Sequence, residues 1–330
     1  MHEVVDRREV HKHREEAVLL RSRELVSSHA MRFMAGWPHE RARSNPSGPA
    51  SDVGLVAEML RQATIALAHT CFGVPFSWAF LMDRMAVEIT GSMPHDAGGL
   101  SVSLEVRAED IATRGDRLRA LVSHVVFNVD GRQFATGRGD LRVVDDRLYR
   151  RLRGEGPHLT NLDLPPRNLP DALTLLANRD FTRGVEWRVI FDPRHGLFFD
   201  HPVDHVPGML LFEAACQVAT RHSVDMELVG FDGEYHRFVD LSAPLLVRIE
   251  DSQPLDASRR VIFVCVYGAG TLAMSSRVVV ALRSVARSGL DQFSGMGNDP
   301  MTRIANHSRQ DYLPHPSKSL EKVGTSRRGD

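Results

Sequence analysis

Two apolar segments 155 residues apart carry the same polar signature. Gly54-Leu-Val-Ala-Glu58-Met-Leu-Arg61-Gln62 matches Met209-Leu-Leu-Phe-Glu213-Ala-Ala-Cys216-Gln217, Glu on Glu and Gln on Gln. A repeat at this distance makes the fold a duplication: each copy supplies one supersecondary unit, and the chain has to bury both. Both copies read as helices. Val56, Met59, Leu60, Ala63 and Leu67 recur at helical spacing in the first, and Leu210, Ala214 and Val218 in the second. Asp52 suits the N-cap of the first helix, and Pro207 suits the first turn of the second, where its missing N–H costs nothing.

The flanks repeat as well. A short strand precedes each helix, at 31–37 and at 185–191. Extended segments follow, at 78–90, 100–109, 118–129 and 134–144 in the first copy. In the second they fall at 236–241, 245–250, 260–267 and 271–282. Asp130-Gly131 and Gly268-Ala269-Gly270 have hairpin-turn chemistry. One strand, one long helix and an antiparallel meander predict an α+β double hotdog, two tandem units each with a central helix wrapped by an antiparallel sheet. The expected boundaries are 10–146 for the first unit, 147–178 for a proline-rich linker, 179–287 for the second unit and 288–330 for a disordered tail.

Composition narrows the class. Lys and Arg number 41 and Asp and Glu 42, so the chain as a whole has no electrostatic footprint for nucleic acid or anionic lipid, although a local patch is compatible with that total. Residues 63–82 lack charge over nearly a membrane span, but Gly73 and Pro75 interrupt them, and helix, turn and strand are expected there. The charged N-terminus has no apolar signal segment. Cys71, Cys216 and Cys265, sparse and irregularly spaced, read as reduced thiols of a cytoplasmic protein. No P-loop or dinucleotide fingerprint is present, so no cofactor is expected. His201 and His205 have a zinc-like spacing only on a helix, which Pro202 argues against, so no metal is expected either.

A helix wrapped by a sheet is apolar on most sides, so each polar residue on it needs a partner or a function. Glu58, Arg61, Gln62, Glu213 and Gln217 are the residues to explain. Around the second helix the string Asp200-His201-Pro-Val-Asp204-His205-Val-Pro-Gly208-Met-Leu-Leu-Phe-Glu213-Ala resembles the A-factor biosynthesis hotdog family, the synthases of γ-butyrolactone autoregulators. The first copy agrees through Ala57-Glu58-Met-Leu-Arg61-Gln62-Ala, His69, Phe72-Gly-Val-Pro75 and Phe80-Leu-Met82. That family is similar in turn to 3-hydroxyacyl-carrier-protein dehydratases, in which a His precedes a Pro-Gly pair and a Glu follows the Gly by five residues. Gly208 and Glu213 keep that step, and His201 fits the His position better than His205.

The resemblance implies transfer of a β-ketoacyl group from acyl carrier protein to dihydroxyacetone phosphate. It implies Glu213, His201 and Glu58 as catalytic residues, and Arg61, Gly208, Gln217 and His205 as substrate-binding residues. Physically, the second helix N-terminus at Gly208 offers free N–H groups to a carbonyl, and Arg61 is either a phosphate clamp or an i, i+3 partner of Glu58. His205 reads more readily as a structural residue of its loop. Cys216 stands where the family usually has Arg, and Ser51-Asp52 stands where its first unit tends to have His-Asp. Cys216 is read as a small buried residue rather than a nucleophile. A dehydratase, a thioesterase and a non-catalytic carrier- or lactone-binding homologue stay open on the same fold, as does a homodimer.

Overall fold

A computed structural model describes residues 3–37, 52–91, 101–153, 173–177, 186–193, 198–200 and 203–283. The expected tail at 288–330, most of the expected linker, and His201 lie outside them.

The first central helix, α1 (Asp52–Phe72), has 15 of its 21 residues buried. A helix apolar all round can be stable only when enclosed, and the sheet encloses it. It stops at Gly73, whose φ of +61° is the left-handed conformation that closes a helix; its N–H bonds the His69 carbonyl at 3.1 Å. The second central helix, α3 (Gly208–His222), is shorter and buries Leu210, Phe212, Ala214, Ala215 and Val218. Pro207, with extended ψ, occupies its N-cap position, one residue before the expected first turn.

All strand pairs are antiparallel and form one 13-stranded sheet in the order β1-β2-β3-β5-β6-β7-β4-β10-β13-β12-β11-β9-β8. β1 (Glu3–Val4), β2 (Leu20–Ser27) and β3 (Ala30–Gly36) precede α1; β4 (Ala79–Ile89), β5 (Ser101–Arg114), β6 (Arg117–Val129) and β7 (Arg132–Val144) follow it. β8 (Leu173–Ala177) and β9 (Glu186–Phe191) precede α3; β10 (Met226–Tyr235), β11 (Leu245–Pro254), β12 (Arg259–Gly268) and β13 (Thr271–Leu282) follow it. From the central β4–β10 pair outward, the order on one side repeats the order on the other. Positive φ at Asp130-Gly131 and Ala269-Gly270 fits the two hairpin turns expected from sequence.

Several elements differ from expectation: β1 and β2 precede β3 where one strand was expected, and β8 lies inside the expected linker beside β9. The first strand after α3 is β10, whereas 236–241 is irregular. α3 ends at His222 in a tight turn closed by the Met226 N–H on the Ser223 carbonyl at 3.0 Å, shorter than the segment 73–78 between α1 and β4, so its strand starts earlier. The expected linker also opens with a helix, α2 (Asp146–Arg153). Among the described residues, no helix is long and apolar enough to cross a membrane.

Candidate active site

A cavity of about 1030 Å³ lies where α1, α2, β4, β10 and the loop leading into α3 converge. Glu58 and Arg61 reach it from α1, His205 and Gly208 from the α3 loop, and Lys12 from the N-terminal segment. Four of the residues singled out from sequence therefore share one cavity, with the first copy supplying the helix side chains and the second copy the loop. Glu213 and Gln217 do not line it.

The α1 side is an ion-pair cluster. Arg61 donates Nε to Glu58 Oε2 and Nη2 to Glu58 Oε1, both at 2.9 Å. Lys12 Nζ lies 3.0 Å from Oε1, and Gln62 Nε2 donates to the same oxygen at 2.9 Å. Burial would raise the Glu58 carboxyl, but the charges of Arg61 and Lys12 and these hydrogen bonds prevail and hold it well below the usual carboxylate range. Glu58 is thus an ionised anchor. Arg61 keeps Nη1 uncommitted among the described residues. Gln62 ties the cluster to the chain entering β2: its Oε1 accepts from the Leu19 N–H and its Nε2 donates to the Ala17 carbonyl, each at 2.9 Å. Asp200 accepts the backbone N–H of His13 at 2.5 Å and of Arg14 at 3.2 Å, fixing the segment that carries Lys12 beside the α3 loop.

The opposite wall holds an Asp–His pair. His205 Nδ1 lies 2.7 Å from Asp204 Oδ1. An ionised carboxylate only accepts, so Nδ1 carries the proton and the neutral ring keeps its lone pair on Nε2. Tyr149 donates its hydroxyl to the same carboxylate at 2.8 Å; Arg153 donates Nε to Oδ2 at 3.0 Å and Nη2 to the Asp204 carbonyl at 2.5 Å. Burial would raise Asp204, yet the bonds from His205, Arg153 and Tyr149 outweigh it and hold the carboxyl well below its ordinary range. The Phe238 ring stands edge-on to His205 at 4.7 Å and lies under the Arg153 guanidinium at 4.9 Å.

Gly208 opens α3 against Tyr235. A Cβ there would meet the Tyr235 ring at 3.3 Å, so a side chain would press the helix start away from β10. Pro207 O accepts from the Leu210 and Leu211 N–H groups, so the first two amides of the helix are the ones outside that turn.

On α3 the repeated Glu behaves in the opposite way. Glu213 is 3% exposed, and burial raises its carboxyl to about 8, against the small lowering from Gln217 Nε2, which donates to Oε1 at 2.9 Å. Cys216 occupies the position that Arg61 holds on α1, and it brings no charge. Burial, reinforced by Glu213, pushes its thiol far above the usual range, so it is no thiolate nucleophile.

Sequence reasoning missed Asp204, Tyr149 and Arg153. Tyr149 and Arg153 do stand four residues apart in a run with an acidic start and basic end, a helix signature that was legible. Among the described residues, no group of three or more His, Cys, Asp or Glu is arranged to hold a metal.

A central helix wrapped by an antiparallel sheet, with its cavity at the mouth of a second such helix, belongs to the hotdog class. Residues 1–145 and 171–274 match the A-factor biosynthesis hotdog domain, and the chain belongs to that family. A 2-oxo-3-(phosphooxy)propyl 3-oxoalkanoate synthase of Streptomyces virginiae is 29% identical over 272 residues, covering 78% of this chain and 90% of the relative. A protein of the same name from Streptomyces griseus is 30% identical over 225 residues, 63% of this chain and 72% of that one. Among solved structures, a tesB protein of Mycobacterium avium subs paratuberculosis aligns with a TM-score of 0.49 at 14% identity, over 79% of this chain and 95% of that chain.

Proposed function

We propose that this chain is an acyltransferase of γ-butyrolactone biosynthesis, built as a double hotdog in a cytoplasmic protein. It moves a β-ketoacyl group from a carrier-protein thioester to the primary hydroxyl of dihydroxyacetone phosphate. The product is a 2-oxo-3-(phosphooxy)propyl 3-oxoalkanoate, the compound in the relatives' name. The observation that carries this reading is the meeting of the Asp204–His205 pair, the α3 N-terminus and Arg61 on one cavity.

In this reading His205 Nε2 takes the acceptor's hydroxyl proton. The alkoxide oxygen bonds to the thioester carbonyl carbon, and the oxyanion so formed lies at the α3 N-terminus, where free amides and the helix dipole favour negative charge. The C–S bond then breaks, and the leaving thiolate takes the proton back from His205. Asp204 holds the imidazole in the working tautomer. Arg61, anchored by Glu58, offers Nη1 to the phosphate.

The test gives purified protein a β-ketoacyl thioester with dihydroxyacetone phosphate and looks for the phosphorylated ester, or the butenolide it closes to, by mass spectrometry. His205→Gln is expected to lower the rate about 10²-fold or more. Glu213→Gln separates the two candidate bases: full rate supports His205, whereas a comparable drop returns the role to Glu213. Free acid without acceptor makes the protein a thioesterase, an enoyl product makes it a dehydratase, and binding without turnover makes it a carrier- or lactone-binding homologue.

A further inference from the structure

We propose that the outward face of α2 is the docking surface for an acidic acyl carrier protein that delivers the donor; the partner's identity rests on the acyl-transfer reading above. Four of the eight residues of α2 are arginines. Tyr149 and Arg153 are fixed to Asp204, so that side of the helix faces the cavity. At about 100° per residue, Arg147 and Arg151 project from the opposite side and Arg150 from the flank between. All three are exposed, and among the described residues none takes part in a hydrogen bond or ion pair. Leu148, 37% exposed, stands beside these arginines, whereas Leu152 lines the cavity with Tyr149 and Arg153.

Helix stability alone does not account for the arrangement. Cations suit the C-terminal end of a helix, which covers Arg150 and Arg151. Arg147 stands in the first turn, where positive charge opposes the dipole. The chain's net charge of −1 makes the patch local rather than part of a basic protein. Arginine forks pair with carboxylates, and arginine is enriched at protein interfaces, so three unpaired guanidinium groups beside an exposed leucine suit an acidic protein partner. A partner seated there stands one helix thickness from the cavity, so a thioester on a flexible arm enters beside His205. The surface then selects the carrier while the cavity selects the acyl group and acceptor.

The experiment measures binding and turnover separately. Binding of holo acyl carrier protein is read by fluorescence anisotropy at low and high salt. Turnover is read with the same acyl group on carrier protein and on N-acetylcysteamine, which has no protein to dock. The triple variant R147E/R150E/R151E is expected to weaken carrier binding about tenfold or more at low salt, and to raise KM for the carrier-bound donor alike. Its N-acetylcysteamine turnover stays unchanged. A triple lysine variant restores most of the binding. If the glutamate variant fails to fold, the triple glutamine variant, which keeps helix propensity, carries the same comparison with a smaller loss. Unchanged carrier affinity, equal losses on both donors, or no carrier binding by wild type overturns the proposal. Equal, equally arginine-dependent binding of duplex DNA or phosphatidylglycerol vesicles also overturns it. Carrier binding without turnover leaves the docking surface standing and removes the acyl-transfer reading.

Discussion

Glu58 and Glu213 occupy the same place on two repeated helices, and one neighbour decides their charge. Arg61, three residues on, meets Glu58 with a paired guanidinium, and Lys12 adds a second cation; Cys216 meets Glu213 with nothing charged. Glu58 is therefore held ionised, and Glu213 is held neutral up to a pH of about 8. The second state carries a stability signature. In the unfolded chain Glu213 ionises near the ordinary glutamate value of about 4.3. The folded chain keeps it protonated, so its contribution is whole below that value and is lost as pH rises toward about 8. Glu213→Gln removes the titration and keeps the acceptor for Gln217. Thermal melts of the two proteins should coincide near pH 4, and the variant should melt progressively higher up to pH 8. A constant difference would place the Glu213 ionisation elsewhere. Arg61→Ala should raise the Michaelis constant for dihydroxyacetone phosphate by about tenfold or more, the scale of a charge-assisted hydrogen bond, with the thioester constant little changed. Equal effects on both substrates would make Arg61 only a partner of Glu58.

The elements divide by how strongly their own sequence speaks. α1, β6, β7 and β13 fall within a few residues of their expected places, because apolar periodicity and the Asp130-Gly131 turn are local properties. β10 was hidden. Met226–Tyr235 holds two glycines and three acids, and it becomes a strand through its neighbours: β13 on one side, and β4 in a register that sets Asp232 opposite Ala86 on the other. α2 was legible only from its acidic start and basic end. It buries no residue, so no apolar stripe announces it, and what holds it is polar. The same division applies to the site. Glu58, Arg61 and Gly208 were legible from the repeat and its polar exceptions, whereas the Asp204–His205 pair needs α2 folded over it. Arg153→Ala removes the bonds to Asp204 and Asp240 and the contact with Phe238. Amide exchange across α2 should then quicken by about ten- to a hundredfold, on the order of 1.5–3 kcal/mol of local stability, with exchange in α1 unchanged. Unchanged exchange in α2 would mean that Arg153 does not hold it.

Across the whole molecule, the β4–β10 pair is where the first-copy strands meet the second-copy strands, and its backbone ladder is short, running from Arg84 opposite Glu234 to Glu88 opposite Gly230. Side chains strengthen it. Arg84 donates Nε and Nη2 to the two carboxylate oxygens of Asp232, both at 2.8 Å, and Arg277 of β13 reaches Oδ2 at 2.5 Å. One buried carboxylate thus joins three strands on both sides of the seam. Burial alone would raise the Asp232 carboxyl, but Arg84 and Arg277 more than offset it and lower it. The cavity draws its walls from both sides of the same seam, so loosening it should disturb the site as well as the fold. Asp232→Asn removes the carboxylate that Arg84 and Arg277 share, and breaking a buried pair costs about 3 kcal/mol. The pH dependence identifies the cause. A carboxyl lowered on folding stabilises above its unfolded value and loses that contribution as pH falls through its folded one. The melting-temperature gap between wild type and Asp232→Asn should therefore be widest near pH 6 and narrow as the pH falls below about 4, the ordinary aspartate value. A gap that stays constant over that range would mean that the aspartate holds the seam by shape rather than by charge.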